Sequence, residues 1–203
     1  MKRILSIIAL VAMTSGPATA QQSNITSLAI GSSMPKGDVK MEAVSGGEVN
    51  LNMIKTSQGA LVMFSCNTCP YVIKAQNRTI EMIRYAVASG IGMIIINSNE
   101  AQRDDDDSRK AMKEYAGAQG YKVPYVIDKN SVLADAFGAT RTPEVFLFDG
   151  NGKLVYKGAM EDNPSNPSES KEIFLKAAID NMVAGKPVNP ASTKSIGCSI
   201  KRL

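Results

Sequence analysis

Five apolar residues in unbroken succession, Ala60-Leu61-Val62-Met63-Phe64, lead through Ser65 into Cys66-Asn67-Thr68-Cys69. An apolar run of strand length without polar alternation fits a strand buried on both faces. Such a strand belongs to a sheet covered by helices on two sides, an α/β architecture. The thiols that follow are three positions apart. A strand ending at Ser65 and turning into a helix places Cys66 at the helix N-terminus, where unpaired backbone N–H groups favour a thiolate. Cys69 then lies one turn on, on the same face, in position to close or open a disulfide with Cys66, an inert structural disulfide or a metal clip being the alternative readings of the pair. A free thiol has a pKa of about 8.5, and lowering it to about 7 takes about 2 kcal/mol of differential stabilisation.

The other apolar segments extend this pattern along the chain. Val39 to Val44 and Gly47 to Leu51 predict two short strands ahead of the core, separated by the turn Ser45-Gly46-Gly47. Beyond the cysteines, Val72, Ile73, Ile80, Ile83 and Val87 recur at helical spacing up to Gly90, with Pro70 tolerated only in the first turn. Ile91 to Ile96 predicts a second buried strand. Asp104 to Asp107 precede a helix carrying Met112, Tyr115 and Ala116. Consecutive carboxylates lack the alternation of a calcium loop, so this run reads as a solvated, dipole-matched helix start. Pro124 to Ile127 is a short strand and Ser131 to Phe137 a short helix. Val145 to Phe148 and Leu154 to Tyr156 form a hairpin across Asp149-Gly150-Asn151-Gly152, and Lys171 to Ala184 is a final helix. The order is β-α-β-α-β-α-β-β-α with two strands in front, which implies right-handed crossovers and a central sheet covered on both faces.

The first twenty residues have a separate character. Met1-Lys2-Arg3 is basic, Ile4 to Met13 is almost wholly apolar, and Ala18-Thr19-Ala20 supplies small residues at a cleavage position. This pattern predicts a signal peptide over 1–20 and an exported mature chain from Gln21, placed in the periplasm or secreted. An uncleaved anchor is the alternative, although the apolar core is short of the roughly 20 residues needed to span a bilayer. After cleavage no stable membrane insertion is expected. Residues 21–203 suit one domain, with 186–203 as a tail carrying Cys198. Loss of Lys2 and Arg3 reduces Lys+Arg from 23 to 21 against 19 acidic residues, so nothing in the charge balance asks for nucleic acid. Outside the cytoplasm, cysteine pairs persist as disulfides and perform redox work.

The chain has no histidine, which excludes Ser-His-Asp and Cys-His catalysis and His-ligated zinc. Its three cysteines are too few for a Cys-only tetrahedral zinc site, and Pro70 after Cys69 excludes haem attachment. No metal or other cofactor is expected. The 11 methionines are scattered and read as core filling.

The element order, with Cys-x-x-Cys after the first core strand and Arg141-Thr142-Pro143 before the strand Val145 to Phe148, resembles the thioredoxin-like fold. More narrowly, the chain resembles exported thioredoxin-like proteins of the redoxin branch, which shades into the alkyl hydroperoxide reductase/thiol-specific antioxidant family. The resemblance rests on Gly31 to Val39, Phe64 to Val72, Asn97 to Glu100, Ala136 to Ala139, Arg141 to Gly152 and the tail Ile196 to Lys201. It implies a central mixed sheet flanked by helices, with an N-terminal strand extension. It also implies a cis-proline at Pro143 that, with Thr142, faces the cysteines and presents backbone to an extended substrate. The implied activity is thiol:disulfide exchange through Cys66 and Cys69, acting on protein disulfides or thiols with a further redox partner. A thiol peroxidase is the enzymatic alternative. However, the pattern Pro-x-x-x-Thr-x-x-Cys fails at Cys66, preceded by Gly59 and Met63, and at Cys69, preceded by Val62 and Cys66. A copper-binding assembly protein is the non-enzymatic alternative, disfavoured by the missing histidine. Two accessory positions stand open. Glu144 is either a proton acceptor near the thiols or an exposed carboxylate at a strand start. Cys198 is a thiol on a folded-back tail that exchanges with the site, an intermolecular bridge, or a buried unreactive cysteine. Lys74 reads as a solvated lysine.

Overall fold

In the computed structural model, residues 25–203 are described, so the predicted signal peptide and its cleavage position lie outside the described residues. Strands β1 (Met41–Ala43) and β2 (Glu48–Val49) come first, then the short helix α1 (Leu51–Ile54) and strand β3 (Ala60–Phe64). Helices α2 (Pro70–Lys74) and α3 (Gln76–Ala88) lead to β4 (Gly92–Asn97), α4 (Arg109–Gln119), β5 (Tyr125–Ile127) and α5 (Val132–Phe137). After them come β6 (Arg141–Thr142), β7 (Glu144–Phe148), β8 (Leu154–Gly158), α6 (Phe174–Val183) and β9 (Cys198–Ser199).

The central sheet has the order β2-β1-β5-β4-β3-β7-β8. Strands β3, β4 and β5 are parallel, as the intervening helices require. The tight turn after β7 makes β8 antiparallel to it, and β7 is itself antiparallel to β3. Strands β1 and β2 extend the far edge as an antiparallel pair. The mixed sheet and its N-terminal extension are as expected from the sequence.

Period-two alternation divides the buried strands between two cores. Leu61, Met63, Met93, Ile95, Val145 and Leu147 point to the side covered by α3, α4 and α6. Val62, Phe64, Ile94, Ile96, Phe146 and Phe148 point to the side covered by α1 and α5. On that second side Phe137 meets the rings of Phe64, Phe146 and Phe148 edge-on, with centroids 5.2–5.7 Å apart. This arrangement suits the aromatic quadrupole.

Several local details differ from the sequence reading. Leu51 opens α1 rather than closing β2, because the Asn50 side chain accepts from the Met53 N–H at 2.9 Å and caps the turn. The helix after the cysteines is two pieces broken at Ala75 (φ −81°, ψ 4°). The last helix starts at Phe174; the Lys171 N–H donates to Asp162 Oδ1 and the Glu172 carbonyl accepts from the Asp162 N–H. The acidic run departs most. Helix α4 begins at Arg109, capped by Ser108, and Asp107 is wholly buried while Asp104, Asp105 and Asp106 are exposed.

Candidate active site

The end of β3 positions the cysteines. Ser65 continues the parallel ladder, its N–H donating to the Ile96 carbonyl at 2.9 Å. The chain then leaves the sheet, and Pro70 occupies the first turn of α2. Its ring has no N–H to lose there. This start is later than expected from the sequence, and the correction affects the chemistry. Cys69, not Cys66, is the N-cap residue, and Cys66 lies three positions before that cap.

Across from the helix start, the Thr142–Pro143 peptide is cis. Cys66 Sγ lies 3.3 Å from the Thr142 hydroxyl, and Cys69 Sγ lies 3.2 Å from the Thr142 carbonyl oxygen. Thr142 therefore touches both thiols, one through its side chain and one through its backbone. All three cysteines are free thiols. Cys66 and Cys69 form a small cluster with Val72 that Tyr71 and Cys198 flank.

Hydrogen bonding separates the two buried sulfurs. As a thiol, Cys69 has the Thr142 carbonyl to donate to. As a thiolate it accepts from the Cys66 thiol, the Cys198 thiol and the backbone N–H groups of Val72 and Cys198, a larger set that outweighs burial. The Cys69 thiol is accordingly held well below the usual thiol range. The same hydrogen bond, given by Cys66 to Cys69, joins burial and the charge of Asp107 in pushing Cys66 up, against the lowering contact with Thr142. The sulfur at the helix N-terminus, Cys69, is the one whose surroundings favour the thiolate.

A buried polar network lies behind the cysteine loop, and the sequence reading missed it. The Asp107 carboxylate accepts from the Asn67 backbone N–H at 2.9 Å, from Asn97 Nδ2 at 2.7 Å and from Asn99 Nδ2 at 2.8 Å. Asn67 Oδ1 accepts from the Tyr125 hydroxyl at 2.9 Å, and Asn67 Nδ2 donates to the Asp106 carbonyl at 2.7 Å. Arg103 fastens the surrounding backbone through the carbonyls of Asp107 and Asn97. Asn67, between the two cysteines, is therefore pinned on both its backbone and its side chain. The available signal was the polar pair Asn97 and Asn99 at the end of a buried strand, where solvated residues were not required.

The remaining candidates fall as follows. Glu144 is buried and its Oε2 accepts from the backbone N–H groups of Thr140 and Arg141 at 2.9 and 3.1 Å, so it braces the loop before the cis peptide. Lys74 is exposed. Cys198 lies on the folded-back tail. Strand β9 pairs antiparallel with β6, with Thr142 opposite Cys198, and Cys198 Sγ is 2.6 Å from Cys69 Sγ. The backbone edge at Thr142, expected to meet an extended substrate, carries this chain's own tail.

A sheet of this order, a dithiol at the start of the helix after its central strand, and a cis-proline opposite define a thioredoxin-like redox protein. The chain matches the Redoxin family model over residues 29–173 and belongs to the Redoxin family. It is 30% identical to a hypothetical protein from Sinorhizobium meliloti 1021, covering 88% of this chain and 97% of that one with a TM-score of 0.78. It is 32% identical to an uncharacterized conserved protein from Geobacillus kaustophilus, covering 86% and 93% with a TM-score of 0.78. At 13% identity the fold alone is shared with a secreted Mycobacterium tuberculosis disulfide oxidoreductase homologous to E. coli DsbE, over 72% and 95% of the chains with a TM-score of 0.51. No curated protein matches the chain. Members of this family are thiol-based redox enzymes, and Cys198 lies beyond the span that the family model matches.

Proposed function

We propose that this protein is an exported thiol:disulfide oxidoreductase whose working couple is Cys66 and Cys69. The supporting observation is the pairing of the two thiols. Both touch Thr142, Cys66 through its hydroxyl at 3.3 Å and Cys69 through its carbonyl at 3.2 Å, and the Cys69 thiol is held below the usual range. A dithiol that already holds a thiolate is prepared for exchange. In the reducing direction, a thiolate attacks a substrate disulfide and expels one substrate thiol. The second cysteine then attacks the mixed disulfide, expels the other thiol and closes Cys66–Cys69. Two electrons pass to the substrate; one of its sulfurs takes the remaining thiol proton and the other a proton from solvent. Protein disulfides and a separate redox partner are the proposed reactants. Export is supported by residues Met1 to Ala20, and a mature N-terminus at Gln21 is its check.

The test is equilibration of the purified protein with glutathione, reading the Cys66–Cys69 couple by thiol-specific mass shift. A potential near −270 mV marks a reductant, and one near −120 mV an oxidant (both about, on the thioredoxin and DsbA scales). The absence of any Cys66–Cys69 disulfide across the range refutes the proposal. Sulfenic acid formed rapidly at Cys66 by peroxide, ahead of any exchange, is the result that favours a peroxidase.

A further inference from the structure

Solvent access differs among the three sulfurs. Cys66 and Cys69 are 2% and 3% exposed, and only Cys198 is more than marginally open. The tail that carries Cys198 also covers the pair. It is fastened on both sides of the thiol. Before Cys198, Gly197 lies so close to Thr142 that an added Cβ would stand 2.1 Å from its carbonyl oxygen. After it, the Ile200 N–H donates to the Thr140 carbonyl at 3.1 Å, and the Lys201 N–H donates to Asn99 Oδ1 at 2.9 Å. Asn99 also donates to Asp107, which holds Asn67 between the two cysteines. The tail and the cysteine loop thus hang on one polar network. That network places the third sulfur beside Cys69, with Cys198 Sγ 2.6 Å from Cys69 Sγ.

We propose that Cys198 is a third redox-active thiol, carrying electron pairs between external disulfides and the buried Cys66–Cys69 couple. The proposal rests on the reading of that couple as an exchanging dithiol. Cys198 passes its proton to Cys69 and attacks an external disulfide RS–SR, forming Cys198–S–S–R and releasing the first thiolate. Cys69 passes that proton to the first thiolate and attacks the Cys198 sulfur, forming Cys69–Cys198 and releasing the second thiolate. Cys66 passes its proton to the second thiolate and attacks the Cys69 sulfur. The Cys66–Cys69 bond forms, the Cys69–Cys198 bond breaks, and Cys198 leaves as a thiolate that takes one proton from solvent. The sum is RS–SR reduced to two thiols and one dithiol oxidised, with Cys198 returned to its starting state. The reverse sequence serves an external dithiol.

Oxidised glutathione is the probe. In Cys66→Ser the last step is blocked, and peptide mapping under non-reducing conditions is expected to find Cys69 joined to Cys198. A Cys69–glutathione adduct with Cys198 free overturns the relay. In the wild-type protein, acid-quenched samples are expected to show Cys69–Cys198 before Cys66–Cys69 accumulates. In Cys198→Ser, oxidation of the couple is expected to slow by about tenfold or more, since the buried sulfurs lose their intermediary. Oxidation at the wild-type rate refutes the relay and leaves the dithiol reading intact. Failure of the wild-type protein to form Cys66–Cys69 refutes the dithiol reading instead.

Discussion

Removal of the Asp107 carboxylate is the most demanding perturbation, because four consecutive aspartates provide their own controls. Asp107 is 0% exposed and accepts three N–H groups, from Asn67, Asn97 and Asn99, at 2.7–2.9 Å. Asp107→Ala leaves those donors buried without a partner. At about 1–3 kcal/mol for each such group, the expected loss is about 3–9 kcal/mol, against a typical net stability of about 5–15 kcal/mol. Asp107→Asn keeps one oxygen for Asn67 and Asn97 but turns an amide donor toward Asn99, itself a donor, at a cost of about 1–3 kcal/mol. The assay is urea unfolding followed by circular dichroism, suited to a chain without tryptophan. With a slope of about 2 kcal/mol per molar, the Asn variant is expected to lower the midpoint by about 1 M and the Ala variant by at least about 1.5 M. Asp104→Ala, Asp105→Ala and Asp106→Ala, all at exposed positions, are expected to stay within about 0.5 kcal/mol of wild type. If Asp107→Ala falls in that same narrow band, the buried network does not hold the cysteine loop and the reasoning fails.

Two further outcomes follow from the site. The lowered Cys69 thiol predicts that thiolate absorbance at 240 nm persists as pH falls through 7, a range where an ordinary thiol with a pKa of about 8.5 is already protonated. Cys69→Ser is expected to abolish this signal at neutral pH, and a wild-type titration centred near 8.5 contradicts the assignment of the charge to Cys69. Gly197→Ala sets a side chain against the Thr142 carbonyl, which belongs to the backbone and cannot rotate aside, so the tail is expected to lift. Alkylation of Cys198 by iodoacetamide in native buffer should then accelerate by about tenfold or more; an unchanged rate shows that the tail does not depend on that contact.

Much of the site was legible in the residues themselves. The Cys66/Cys69 spacing and the strand before it are local patterns, and the hairpin after Pro143 announces itself through Asp149-Gly150-Asn151-Gly152. The helix start was misplaced by one turn because Pro70 is compatible with any position in the first turn, and three residues of loop satisfy the same sequence. Asp107 was misread for a different reason. Nothing local distinguishes it from Asp104, Asp105 or Asp106; its burial comes from Asn67, Asn97 and Asn99, which reach it from two other segments.

By itself, the sequence determined the layered α/β fold, through apolar runs that only a doubly covered sheet can bury, and the dithiol, through two cysteines near one helix start. Tertiary structure alone decided which sulfur carries the charge, which aspartate is buried, and where Cys198 goes. The physical reason is range. Propensity and periodicity act over a few neighbours, whereas Cys69 meets Cys198 across 129 positions through the pairing of β6 with β9. A thiol's acidity and partners belong to that assembled surface, not to its place in the chain.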